Sequence, residues 1–499
     1  MRLFFPRFGR FHGNPGSAKD DGGMLVGPSF IPYGCARLGA KRIVDRTLRS
    51  LVGATLGLIL TCAISILFVA HPVLSASQDG EEHLQKAIDE LLDGRPLPAV
   101  TDASEAVEVD PQSAEALAIL GLSQLKCGEW EKAEVRFSEA MVIDSLSPEA
   151  QLGLGAIAIS QMRYRDAIPH LRRATSSQLF PGAAYRALAS SLEHLNLHQE
   201  ASHAMREASK YTGELRPDEL VNARAFADIF AAYDGRSLYS MPKDFSCTSV
   251  QIAYSQDHIT VPVVVNGTTR GDFVLDTGHS GSLMLSDEFA KRLDLEYVGE
   301  IGAISLDGEL RLRAAILDSI EIGGLVMRDV PVFMCEDYPF QSAGLIGWEI
   351  IQKVNTTIDF EGLQIRLSSL DKPEWHGERI TDEARAECVP FIYMTSMYVI
   401  ARFGDDLPRA FVFDTGADAS CLHRSDSSGG EPTQEGTSSS IRIGDLTLDL
   451  PRTEYLDFSA VHRRGRYYFP GVVGLDVLRH SVLHIFPGES MLCIGRDKS

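Results

Sequence analysis

Several things are scarce in this 499-residue sequence, and each absence closes a route. Only eight residues are cysteine, at 35, 62, 127, 247, 335, 388, 421 and 493. No two of them stand at CxxC spacing and none clusters with histidine at zinc-ligand spacing, so the cysteines carry no motif and say little about function. Cys335 and Cys493, flanked by apolar residues, read as small core residues. Basic charge is short as well: 47 Lys and Arg face 68 Asp and Glu, for a net charge of −21. Residues 1–50 alone carry nine basic residues and three Asp, so the remainder is more acidic still. An acidic body has no electrostatic means of holding nucleic acid. There is no phosphate loop, no GxSxG elbow and no HExxH, which removes kinases, serine hydrolases and zincins.

One long apolar run is present. Residues 51–70 (LVGATLGLILTCAISILFVA) are uncharged and long enough to span a bilayer. Lys41, Arg42, Arg46 and Arg49 precede the run and place the leader, residues 1–50, in the cytoplasm. The leader is Gly/Pro-rich and reads as disordered. Segment 51–71 is then a membrane anchor, or a signal sequence cut near Ser75-Ala76-Ser77, and everything beyond it is exported: periplasmic in a Gram-negative cell, secreted if the segment is removed.

Residues 80–213 repeat with a period of 34. Gly121 and Gly155, Ala133 and Ala167, Phe137 and Leu171, and Ala140 and Ala174 are each one period apart. Small residues at three fixed positions let two antiparallel helices approach closely, and the large residue fills the gap between them. The pattern, seen in Ile119–Met141, resembles the tetratricopeptide repeat (TPR), and about four units fit. Such a solenoid implies either a spacer or a groove for a peptide or partner protein. Residues 214–245 follow as a capping helix, near Pro217–Tyr233, and a linker.

From residue 246 the pattern changes to short β-type runs. Val261–Val265, Asn266-Gly267 and Asp272–Leu275 spell a hairpin. Residues 371–387 are charged and lack strand pattern, which makes them a linker between 246–370 and 388–499. Each part carries the same ordered set of motifs. FVLDTG (Phe273–Gly278) is echoed by FVFDTG (Phe411–Gly416). Ile320-Glu321-Ile322-Gly323-Gly324-Leu325 is matched by Ile441-Arg442-Ile443-Gly444-Asp445-Leu446, and Gly344-Leu345-Ile346-Gly347 by Gly471-Val472-Val473-Gly474.

Over residues 248–499 these motifs resemble the aspartic peptidases, closest to the retropepsin-like kind in a single chain. The resemblance implies a multidomain protein: the N-terminal transmembrane or signal helix, an all-α TPR solenoid, then an all-β bilobal peptidase. It implies a membrane-tethered or exported aspartic endopeptidase that needs no cofactor and no metal and acts on a peptide or protein substrate. Asp276 and Asp414 would be the catalytic pair, since two close carboxyls share one proton and so supply both the base and the acid that water attack needs. Thr277 and Thr415 would lock the two loops, and Gly278 and Gly416 would permit their close approach. Gly299, Ile301 and Gly302 would belong to a flap carried by the first lobe alone, because Ser425–Ser440 has no strand pattern. His279 stands where Ser or Ala is usual and reads as solvent-facing, as does the run His462-Arg463-Arg464-Gly465-Arg466. The alternatives are an inactive peptidase-like scaffold acting with the repeats, or a site assembled between two chains.

Overall fold

The computed structural model describes residues 78–496, except 256, 306–307, 372–385, 405–407, 425–438 and 451–453. By its contacts the chain divides between Val69 and Ala70, and every described residue belongs to the second unit. The leader, the apolar span 51–71, most of the linker 371–387 and most of Ser425–Ser440 lie outside the described residues. Among the described residues no helix is long and apolar enough to cross a membrane.

The first part is all-helical. Helix α1 (78–92) is followed by α2 (Pro96–Val109), α3 (Ala114–Lys126), α4 (Trp130–Ile143), α5 (Pro148–Ser160), α6 (Tyr164–Ala174), α7 (Pro181–Glu193), α8 (His198–Ala208) and α9 (Pro217–Ala232). Starts are encoded locally: Ser113 and Ser147 accept from Ala116 and Ala150 N–H, and prolines open α5, α7 and α9. The tight turns inside the four pairs fall on Gly94, Gly128, Met162 and Asn196, all with φ between 56° and 75°. The 34-residue period is thus a period of backbone conformation too. A Cβ on Gly121 would lie 2.6 Å from the Phe137 ring, and one on Gly155 would lie 2.6 Å from Leu171 Cδ2. Phe137 and Leu171 are fully buried, so each fills the space that a glycine leaves.

The second part is β-rich. Its strands are β1 (Cys247–Gln251), β2 (Ala253–Ser255), β3 (His258–Val265), β4 (Thr269–Leu275), β5 (Leu283–Ser286), β6 (Tyr297–Ser305), β7 (Gly308–Ile322), β8 (Leu325–Cys335), β9 (Gly344–Ile346), β10 (Asn355–Asp359) and β11 (Gln364–Ser368). Then follow β12 (Glu387–Tyr393), β13 (Met397–Phe403), β14 (Arg409–Phe413), β15 (Cys421–His423), β16 (Ser439–Ile443), β17 (Leu446–Leu450), β18 (Glu454–Leu456), β19 (Gly471–Val473), β20 (Ser481–Phe486) and β21 (Met491–Arg496). Four short helices punctuate them: α10 (Asp287–Ala290), α11 (Trp348–Ile351), α12 (Ser459–Gly465) and α13 (Leu475–Leu478).

Asn266 and Gly267 both have positive φ and close the β3–β4 hairpin, while Gly323 and Gly444 turn the β7–β8 and β16–β17 hairpins. Strands β2-β3-β4-β9-β5-β8-β7-β6 form one sheet. The other runs β1-β11-β10-β20-β21-β12 and on through β13, β14, β19, β15 and β18. Its middle joins the two halves of the motif set, because β10 from the first pairs antiparallel with β20 from the second. In each half the strand ending in Asp-Thr-Gly lies parallel to the apolar strand of the later glycine motif: β4 with β9, and β14 with β19.

Cys493 is not a lone core residue. It faces Cys388 across β12 and β21 and is disulfide-bonded to it, whereas Cys335 is buried and free. The reading from flanking apolar residues missed that both cysteines occupy one register position. One apolar cluster runs from Ala87 and Phe137 through Ile229 into Phe273, Trp348 and Ile494, so the helices and sheets share a core.

Candidate active site

Strands β4 and β14 end side by side and deliver their Asp-Thr-Gly triplets to one place. Thr277 Oγ1 donates to Phe413 O at 2.8 Å, and Thr415 Oγ1 donates to Leu275 O at 2.8 Å. Each hydroxyl also accepts from the other threonine's N–H, at 3.0 and 3.2 Å. Both threonines are fully buried, so these four bonds are shielded from water. A Cβ on Gly278 would run into the Asp414 carboxylate, and one on Gly416 into the Asp276 carboxylate. Glycine is required at both positions by this approach.

The carboxyls are held from behind. Asp276 Oδ1 accepts from Gly278 and His279 N–H, each at 2.9 Å, and Asp414 Oδ1 accepts from Gly416 N–H at 2.7 Å. Each aspartate's own N–H is bound to the neighbouring strand, to Ile346 O and Val473 O. Burial pushes Asp276 well above the usual carboxylate range; the Asp414 charge and a hydrogen bond between the two side chains add to this. Burial raises Asp414 too, against the backbone N–H bonds that favour its charged form. The pair thus holds a proton where an isolated aspartate would not.

Other side chains brace this loop from the second half. Ser396 Oγ donates to Gly278 O at 2.9 Å and Tyr393 OH to Ser280 O at 3.2 Å. In the first half, Tyr338 is half-buried and bonded to Ser342 Oγ at 2.7 Å, and burial, with the Asp276 charge, raises the pKa of its phenol. None of these three was singled out from sequence, since no motif marks them; only the folded chain brings them to the triplets.

His279 does not face solvent. Its ring packs against Gly281 and Gly347, where a Cβ on Gly347 would meet Cδ2, and its buried Nε2 has no hydrogen-bond partner. Burial pulls its pKa down to about 4, so the ring beside the pair is neutral. Sequence gave no sign of this, because the covering residues come from the distant Gly344–Gly347 segment.

The residues assigned to a flap lie in the first strand of a hairpin rather than at its tip. Gly299, Ile301 and Gly302 are on β6, with Ile301 buried, and residues 306–307 between β6 and β7 lie outside the described residues.

The run His462–Arg466 is not a solvated loop either. His462–Gly465 end α12, and Arg466 and the residues after it contact the helical region. Tyr468 N–H donates to Lys126 O at 2.8 Å, and the Lys126 ammonium lies 4.7 Å from the Tyr467 ring centroid. Arg466, 9% exposed, donates to Glu214 O and to Glu219 Oε2, and Arg186 of α7 pairs with the same Glu219 carboxylate. Burial, with Arg466 and Arg186 nearby, pulls Lys126 down to about 8. Helices α3 and α7 present Lys126 and Arg186 to this contact, so part of the helical surface is covered by this chain's own Arg466–Tyr468.

One group with metal-ligand character exists among the described residues: His83 Nδ1, Asp102 and Glu105, with ligand atoms within 4.8 Å of one another. It lies on α1 and α2, and Lys86 Nζ, 2.7 Å from Asp102 Oδ1, already supplies a cation there.

Residues 261–350 match a family model described as aspartyl protease. No curated protein matches the chain in sequence. Among solved structures, an aspartic proteinase from Irpex lacteus has 12% identity over 51% of this chain and 98% of its own, with a TM-score of 0.36. A structure from a functional characterisation of Pseudomonas aeruginosa pilF has 19% identity over 33% of this chain and 80% of its own, with a TM-score of 0.26.

Proposed function

We propose, from a chain whose β-rich part is a retropepsin-like aspartic peptidase with two Asp-Thr-Gly lobes and whose front is built of TPR-type helical pairs, that the protein is an aspartic endopeptidase. Asp276 and Asp414 share one proton. The ionised carboxyl takes a proton from a water molecule as that water attacks the peptide carbonyl. The protonated carboxyl donates to the carbonyl oxygen, giving a gem-diol; as its C–N bond breaks, the carboxyl that took the water proton gives it to the leaving amine, and a gem-diol O–H proton returns to the pair. Thr277 and Thr415 keep the two carboxyls in register, and Gly278 and Gly416 give them room. The β6–β7 hairpin closes over the substrate and excludes water.

The observation that carries this reading is the crossed set of threonine bonds, with each glycine's free side turned to the opposite carboxylate. Such an arrangement serves no packing need that an apolar pair would not meet better. Both halves belong to one chain and are joined through β10 and β20, which favours a site complete within one molecule.

The protein is exported and tethered through residues 51–70. The Cys388–Cys493 disulfide supports this, since such bonds persist in oxidising compartments. The helical pairs act first as a brace for the peptidase, because Lys126, Glu214 and Glu219 already hold Arg466–Tyr468.

A peptide isostere carrying a hydroxyl in place of the scissile carbonyl tests the reading. It should bind at least about a hundredfold more tightly than the matching peptide, and Asp276→Asn should remove that advantage. Equal binding of isostere and peptide would contradict a water-activating carboxyl pair.

A further inference from the structure

The two Asp-Thr-Gly loops are held alike by backbone and differently by side chains. Behind each stands the short helix that follows the apolar-apolar-Gly motif, α11 in the first half and α13 in the second. Trp348 N–H donates to His279 O, and Leu475 N–H donates to Ala417 O, both at 2.9 Å. These are matching positions counted from Asp276 and Asp414. The acid that comes next separates the halves. Asp476 Oδ1 accepts from Ser420 N–H at 2.9 Å and from Ser420 Oγ at 2.6 Å, so the second loop is tied within its own half. Glu349 occupies the matching place, but its carboxylate pairs with His194 of the helical region and not with Ser282, the counterpart of Ser420. Three residues on, Gln352 Oε1 accepts from Tyr164 OH of α6 at 2.8 Å, and the Tyr164 ring stacks on His194. On its other side α11 is bonded to the loop: Glu349 N–H donates to Gly281 O at 3.1 Å and Gly347 N–H to Ser282 O at 2.7 Å.

We propose that His194 and Tyr164 are positioning residues for the active site: by holding α11 from the helical region they fix the loop of Asp276, as Asp476 fixes the loop of Asp414 from within its own half. This rests on the peptidase reading above. Two carboxyls that share a proton work only at a fixed spacing, and such groups are held by neighbours that are themselves locked by packing and hydrogen bonds. The contact meets that demand. The His194 side chain is 9% exposed and Gln352 is buried. Glu193 and Lys353 flank the His194–Glu349 pair, and Tyr239 and Tyr393 face Glu349 beside Tyr164. The helical region then takes part in catalysis without touching substrate.

The test reads kcat against pH for the full chain, with one peptide that the wild type cleaves. His194→Ala releases Glu349 and lets the Asp276 loop drift from Asp414. kcat should fall roughly tenfold, since small displacements of reacting groups are costly, with KM unchanged. The bell-shaped profile should narrow by about one pH unit, its limbs moving towards each other, because carboxyls further apart interact less and their two apparent pKa values converge. Loss of a positive charge alone would move both limbs to higher pH, and that result overturns the proposal. Tyr164→Phe changes no charge over this range and should narrow the profile as well. His194→Gln keeps a donor for Glu349 and should restore both kcat and width. Ile119→Val, in the buried core of α3, should lower the melting temperature and leave the width at the wild-type value. A merely structural role for His194 would lower kcat in proportion to the folded fraction at unchanged width, which overturns the proposal. If the wild type cleaves nothing, the peptidase reading fails by itself, and amide exchange decides the positioning. Faster exchange at Gly278, His279 and Trp348 in His194→Ala but not in His194→Gln supports it, and unchanged exchange in both overturns it.

Discussion

At the scale of single residues, the most demanding positions are Gly278 and Gly416. Each is a glycine because the other half's carboxylate stands where a side chain would be. Gly278→Ala must therefore push Asp414 away or separate β4 from β14. Activity should fall on the order of a hundredfold or more, since small displacements of reacting groups are costly, and stability by about 1–3 kcal/mol. Peptide cleavage and thermal melting of the variant check both figures. His279 adds a neutral, buried ring beside this pair. It leaves the shared proton to the carboxyls, because a cation there would favour their full ionisation.

At the scale of elements, the contact between α7 and α11 makes a pH-dependent joint between the helices and the first lobe. His194 ends α7; its Nε2 lies 3.1 Å from Glu349 Oε1 and its Nδ1 lies 2.7 Å from Ser190 O, with Tyr164 stacked on the ring at 3.9 Å. Burial alone would lower the His194 pKa, but Glu349 and then Glu193 outweigh it and the pKa is raised. Burial alone would raise Glu349, and His194, with Lys353 behind it, turns the shift downward.

The raised histidine contributes stability that is fully present below its ordinary value of 6.5 and is lost as pH rises through the folded value. The lowered carboxyl contributes stability present above its ordinary value of 4.5 and lost as pH falls through its folded value. The joint is therefore strongest between those two ordinary values. Melting of Glu349→Gln against wild type should show a larger deficit at pH 5.5 than at pH 8.5, and an equal deficit at both would rule the joint out.

Elements also show what could be read in advance. The helical pairs are legible because Gly121 with Gly155, and Phe137 with Leu171, answer a packing demand that recurs every 34 residues. The Asn266-Gly267 turn and both Asp-Thr-Gly loops are legible for the same reason. Three features are not. Cys388 and Cys493 are 105 residues apart, and nothing in their spacing pairs them. The basic run at 462–466 reads as a solvated surface because its acidic partners, Glu214 and Glu219, lie about 250 residues earlier. Asn222 carries no motif at all; its bonds to the Gly302 backbone depend on which strand lies against α9.

At the scale of the whole molecule, the helical pairs and the two β-rich lobes act as one body. A shared apolar core joins them, and α9 touches both the β6–β7 hairpin and, through Glu219, the second lobe. Arg466→Ala should test that union. It removes a pair whose side chains are each about one-tenth exposed, but Glu219 keeps Arg186 and Arg216. A loss of about 1–3 kcal/mol is expected, seen as a single melting transition at lower temperature. Two separate transitions would mean that helices and lobes unfold independently.

If Asp276 and Asp414 together hydrolyse peptide bonds, incubating the protein, Asp276→Asn and Asp414→Asn with a diverse peptide library from pH 3 to 7.5 and reading the cut sites by mass spectrometry will show it. Only the wild type should cleave, most strongly on the acid side of neutrality where the raised carboxyl pair still holds its shared proton. Cleavage that survives in either asparagine variant would contradict it.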